Sequence, residues 1–113
     1  MKIAEKQAAA VISEAFPIES LTNQRKFLGD MDTLIEQGMV NLIFDMSQVK
    51  YLMTMELGSL VAAMKKARVK GGALKMVVVG EFLDNLLTLA NLKGIFEIYP
   101  SEIEALETVL NDS

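Results

Sequence analysis

This chain predicts an α/β domain, a mixed sheet of about five strands packed with about four helices, and three observations carry that expectation. Val40 to Phe44, continuously apolar apart from Asn41, and Leu74 to Val79 are of strand length and have the pattern of strands covered on both faces. From Met55 to Lys70, between them, Leu57, Leu60, Val61 and Met64 recur at helical intervals, so the two strands are expected to run parallel through a right-handed crossover. Further strands and helices alternate on either side, and 113 residues with a hydrophobic share of 51% and mean hydropathy of +0.31 suffice for one domain, residues 1–113, with its own core.

Taken in order, Ile3 to Lys6 and Ala9 to Ala15 read as two short strands around Gln7-Ala8, with Val11 and Ile12 as the strongest strand formers. Pro17 blocks continuation of a paired strand. Ser20 is placed to cap a helix reaching about Gln37, with Phe27, Leu28, Met31, Leu34 and Ile35 at helical spacing and Gly38 where a left-handed cap belongs. Val40 to Phe44 should lie at the sheet centre, with Asp45-Met46-Ser47-Gln48 as its polar exit. Lys65, Lys66, Arg68 and Lys70 gather at the end of the next helix, where cations complement the dipole, and read as a solvated helix end before the turn Gly71-Gly72. Glu81 to Ala90 is a third helix, apolar around much of its circumference through Phe82, Leu83, Leu86, Leu87 and Leu89. Phe96 to Tyr99 makes a last strand, and Ser101 with Glu104 forms a capping box for a terminal helix through Leu106, Val109 and Leu110.

Composition narrows the function. Fifteen acidic residues against eleven basic ones, a formal charge of −4, argue against a nucleic-acid binder, which needs a basic face. The chain has no cysteine and no histidine, which removes thiolate sites and the commonest general base and metal ligand, so neither a cofactor nor a metal is expected. Charges at Lys2, Glu5 and Lys6 interrupt what would have to be an apolar signal core, and no apolar run reaches the length of a membrane span; a soluble cytoplasmic protein with no membrane insertion is expected. Asp45 and Glu56 could be imagined as a paired acid and base, but no nucleophile, metal cluster or phosphate loop accompanies them. One hydroxyl stands out. Thr54 lies where a strand-following loop enters a helix, and the plain reading is an N-cap whose oxygen accepts a backbone N–H, worth roughly 1 kcal/mol.

Leu42-Ile43-Phe44-Asp45-Met46-Ser47-Gln48-Val49 follows the pattern of a hydrophobic strand followed by D-L-S-x-V, and Tyr51-Leu52-Met53-Thr54-Met55-Glu56-Leu57-Gly58 lies over an F-[IM]-D-S-[ST]-G-L-G loop. Ala67-Arg68-Val69-Lys70-Gly71-Gly72 matches a basic, glycine-ended helix, and Leu89-Ala90-Asn91-Leu92-Lys93-Gly94-Ile95-Phe96 is similar to a closing L-x-x-L-x-x-[IL]-F element. Together these four segments resemble the STAS domain, the fold of bacterial anti-sigma-factor antagonists. The resemblance implies a non-catalytic interaction domain whose first loop hydroxyl, here Thr54, accepts phosphate from a partner serine kinase of the anti-sigma switch type. It also implies a partner-binding face of Met53, Thr54, Met55, Glu56 and Ser59. A phosphate there would meet unpaired N–H groups and the positive end of a helix dipole.

The chain departs from the pattern at several positions. The loop aspartate is Met53, the residue after the acceptor is Met55, and a glycine has become Glu56, whose carboxylate is expected to repel a neighbouring phosphate. The family's G-E-[LIV]-D element falls in Ser13-Glu14-Ala15-Phe16, which keeps Glu14 but has Phe16 for the aspartate. Methionines flanking Thr54 suit an adaptable apolar surface less tied to phosphate control. Two rival readings follow: a constitutive scaffold or subunit, as in stressosome shells or the STAS partners of lipid-transport ATPases, and an enzyme of unknown type, which the missing histidine and cysteine disfavour.

Overall fold

The structure, a computed structural model, describes residues 1–6 and 9–111; the turn read at Gln7-Ala8 lies outside the described residues. The elements are β1 (Lys2–Lys6), β2 (Ala9–Ser13), α1 (Leu21–Glu36), β3 (Asn41–Asp45), α2 (Thr54–Val69), β4 (Ala73–Val77), α3 (Glu81–Leu89), β5 (Glu97–Tyr99) and α4 (Glu102–Asn111). They form the expected mixed sheet, in the order β1-β2-β3-β4-β5. β1 runs antiparallel to β2, and β2 through β5 are mutually parallel, with Leu42 opposite Leu74 and Phe44 opposite Met76 across the central pair.

Side-chain alternation along the strands sorts the core into two layers. Ala10, Ile12, Leu42, Phe44, Leu74 and Met76 share one face with Phe27, Met31 and Leu34 of α1, Leu60, Ala63 and Met64 of α2, and Leu83 and Leu87 of α3. Ala9, Val11, Ile43 and Val77 point the other way, against Ala105 and Val109 of α4, with Tyr99 and Leu106 packed alongside. β3 is therefore apolar on both faces, as its sequence required. β1 is exposed throughout, and Lys2, Glu5 and Lys6 guard its free edge against pairing with another chain.

The helix ends explain several boundaries. Ser20 caps α1 as expected, its hydroxyl accepting the Asn23 N–H at 3.1 Å. α1, α2 and α3 all finish in the same hydrogen-bonded motif: Met39 donates to Leu34, Gly72 to Ala67 and Leu92 to Leu87, and the preceding residue in each case is left-handed, Gly38, Gly71 and Asn91. Gly72 is more than part of a turn. A Cβ there would run into the Val40 carbonyl, which accepts the Ala73 N–H at 3.2 Å. β2 stops at Ser13, short of the expected Ala15, because Glu14 takes a positive φ of 55° and turns the chain away.

One core residue escaped the pattern reading. Lys75, in the middle of β4, is buried on the α4 side of the sheet. Its ammonium pairs with Glu97 on β5 at 2.9 Å and lies 5.4 Å from the centre of the Tyr99 ring, while the Tyr99 hydroxyl donates to the same Glu97 oxygen at 2.9 Å. Burial would raise the Glu97 pKa, but the hydrogen bonds from Lys75 and Tyr99 and the charges of Lys75 and Arg68 outweigh it and hold the carboxyl below the usual range.

Candidate docking site at the carboxyl end of the sheet

Because β2, β3 and β4 are parallel, the loops that follow them emerge at one end of the sheet, where open α/β sheets present their ligand-facing surfaces. The loop after β3 is pinned at intervals. Met46 continues the ladder by donating to Val77 at 2.9 Å, Asp45 accepts the Ser47 N–H at 3.0 Å, and Val49 donates back to Met46 at 3.0 Å. Met46 and Leu52 are buried anchors, whereas Tyr51 and Met53, the latter 51% exposed, face outward.

Thr54 is exposed, but it is not the N-cap. Met53 occupies that position with extended backbone (φ −80°, ψ 161°), and Thr54 is the first helical residue, so the expected threonine cap is corrected by one position. The cap is supplied from inside the helix. Glu56, the third helical residue, reaches back so that one carboxylate oxygen accepts the Met53 N–H at 2.7 Å, and the other accepts the Ile18 N–H at 2.8 Å. Glu56 is 1% exposed. It thus ties the loop after β2 to the start of α2.

The five residues read as a binding face divide into two groups. Met53 and Thr54 are exposed and Met55 is half-buried, whereas Glu56 and Ser59 are buried. The Ser59 hydroxyl donates to the Met55 carbonyl at 2.9 Å and accepts from the Gln24 side chain at 3.1 Å, joining α2 to α1. Glu56 and Ser59 therefore hold the loop from beneath, and any contact they have with a partner is indirect. Phe16, standing where the family aspartate would be, packs its ring against Phe27 and Phe44 at centroid distances of 6.0 and 6.3 Å. Glu14 stays at the surface and pairs with Lys2 at 3.5 Å.

Sequence reasoning missed the other half of the surface. Beside the Thr54 loop, an open groove of about 470 Å³ is lined by Val49, Lys50 and Tyr51 on one side and Val79, Gly80 and Phe82 on the other. Tyr51, Val79 and Phe82 are all well exposed, Phe82 at 67%. The signal was present in α3, which has more apolar residues than one buried face can use; only Leu83 and Leu87 go fully inward. Among the described residues no cluster of acidic residues is arranged to hold a metal ion, and no helix is long and apolar enough to cross a membrane.

Parallel strands that deliver an exposed hydroxyl, a methionine pair and an aromatic-lined groove to one end define an α/β domain built to present a surface. The chain belongs to the STAS domain family, whose model matches residues 18–105. No curated protein matches it. Among solved structures, the NMR structure of the protein TM1081 is similar with a TM-score of 0.82 at 23% identity, covering 93% of this chain and 84% of that one. The crystal structure of TM1081 from Thermotoga maritima, described as a candidate anti-sigma factor antagonist, gives 0.79 at 23% identity over 96% and 92%. At that identity the likeness is one of fold.

Proposed function

We propose that this chain is a regulatory protein-interaction domain of the anti-sigma-factor-antagonist type that docks on a partner serine kinase through the end of the sheet bearing Thr54. The observation that carries the reading is the exposed Thr54 hydroxyl at the first residue of α2, set beside the apolar surface of Tyr51, Met53, Val79 and Phe82. Exposed aromatic and methionine side chains on a pinned loop bury large area on docking at little entropic cost. Phosphate transferred to Thr54 would gain from the α2 dipole and would place about two negative charges in an apolar contact, which ends docking. The carboxylate of Glu56, expected to repel that phosphate, is turned inward onto two N–H groups, which leaves the outer face of the first turn open.

The test is capture of an anti-sigma-type serine kinase, sought among the neighbouring genes, by wild type, Thr54→Glu and Phe82→Ser. Binding by the wild type, weakened at least about tenfold in both variants, supports the reading, since a hot-spot aromatic or a misplaced charge costs about 1.4 kcal/mol or more. A second reading, a constitutive scaffold, is favoured by the methionine that replaces the loop aspartate at position 53. Absence of any phosphate on Thr54 after incubation with the kinase and ATP, together with undiminished binding by Thr54→Glu, selects it.

A further inference from the structure

Met53 stands in the acceptor position of a capping box, its side chain set against the backbone N–H of Glu56, where a thioether sulfur is only a weak acceptor. It is also 51% exposed, while Met31, Met46, Met64 and Met76 are 0, 1, 4 and 0% exposed. Oxidation of an exposed thioether adds one oxygen to sulfur and turns an apolar group into a strong acceptor. We propose that Met53 is a site of reversible oxidation at which the sulfoxide oxygen replaces the weak sulfur acceptor of the α2 cap with a strong one, while the same oxygen makes the docking face polar. The oxidant is a hydroperoxide: its O–O bond breaks, one oxygen bonds to the Met53 sulfur, which loses two electrons, and the other leaves as water or alcohol. A thiol-dependent sulfoxide reductase returns the two electrons and restores the thioether.

The two effects are separable. Most methionine oxidation within a fold loosens packing, because the polar oxygen enters a core. Here the sulfur sits outside the core, at the one turn of α2 whose amide groups lack backbone acceptors, so the modified side chain is expected to firm the helix start. The consequence for docking rests on the function proposed above; the chemistry at Met53 does not.

Hydrogen peroxide titration of the whole chain, followed by peptide mass spectrometry, should show Met53 oxidised at least about tenfold faster than Met31, Met46, Met64 and Met76, with Met1 as the exposed reference. Amide exchange on the oxidised protein should slow at Glu56 by up to about fivefold, the effect of a strong cap in place of a weak one, and Met53→Gln, whose amide oxygen is a strong acceptor, should slow it without peroxide. Met53→Leu should show no peroxide-dependent change. Oxidation of Met53 no faster than the four buried methionines, or exchange at Glu56 unchanged or accelerated by the sulfoxide, overturns the proposal. In a separate arm, peroxide should weaken kinase capture by the wild type and have no effect on capture by Met53→Leu. A kinase that never binds the unoxidised protein counts against the docking reading and leaves the mass and exchange results standing.

Discussion

Replacing Glu56 with alanine should be among the most damaging single changes at this end of the molecule. Its carboxylate is buried and accepts two backbone N–H groups, from Met53 at 2.7 Å and Ile18 at 2.8 Å. Hydrogen bonds to a charged group are worth about 1.5–3 kcal/mol each, so roughly 3–6 kcal/mol of interaction is removed. Part of it returns, because a carboxylate no longer has to be taken out of water and because alanine favours the helix slightly. A net loss of about 3 kcal/mol remains, which for a chain of this size corresponds to a fall in Tm of about 12 °C. Glu56→Gln keeps one carbonyl oxygen but turns an amide donor toward the second N–H, and should lose about 1–2 kcal/mol. Glu56→Gly, the residue common in this family, should lose about 1 kcal/mol more than alanine through helix propensity. Urea unfolding followed by circular dichroism, with an unchanged m-value, measures all three. A loss below about 1 kcal/mol for Glu56→Ala would refute the assignment of Glu56 as the clasp between the loop after β2 and α2.

Gly72→Ala should destabilise by about 2–4 kcal/mol, because its Cβ collides with the Val40 carbonyl and the backbone must shift; Gly71→Ala, with open space but a φ of 84°, should cost only about 1 kcal/mol, and thermal unfolding compares the two. Glu97 has a folded pKa below its ordinary value of 4.5, so the unfolded chain takes up the proton first: its contribution is fully present well above pH 4.5 and is lost as pH falls through the folded value. Glu97→Gln should therefore flatten the fall in stability below that pH, read by urea unfolding at a series of acidic pH values. Phe82→Ser should leave the Tm within about 2 °C of wild type, because the ring is mostly solvated, which makes any loss of partner binding in that variant a surface effect.

Most of the architecture could be read from the chain because its signals were local and agreed with one another. Ser20, Gly38 and the apolar spacing between Phe27 and Ile35 each point to the same helix, and α1 lies where they put it. Lys75 was hidden for the opposite reason. A lysine in an apolar strand is acceptable only where its head can reach a partner, and Glu97 lies 22 residues further along the chain, brought alongside by the β4–β5 register. The same distance problem concealed the role of Glu56, whose second partner, Ile18, is 38 residues earlier. The place of the hydroxyl at position 54, where loop passes into helix, was legible in the sequence, but its exposure and the groove beside it required the fold, in which the loop after β4 returns next to the loop after β3. Side chains on a pinned loop declare their direction only once the anchors, here Met46 and Leu52, are known to be inside.

The strand order of the sheet repeats the order of synthesis. Each newly made hairpin or strand-helix-strand segment finds its neighbour already in place, so pairing closes short loops and never waits for a distant piece of chain. A ribosome releasing this polypeptide would thus let the sheet grow one strand at a time, outward from β1 toward β5, with α4 added last across the back.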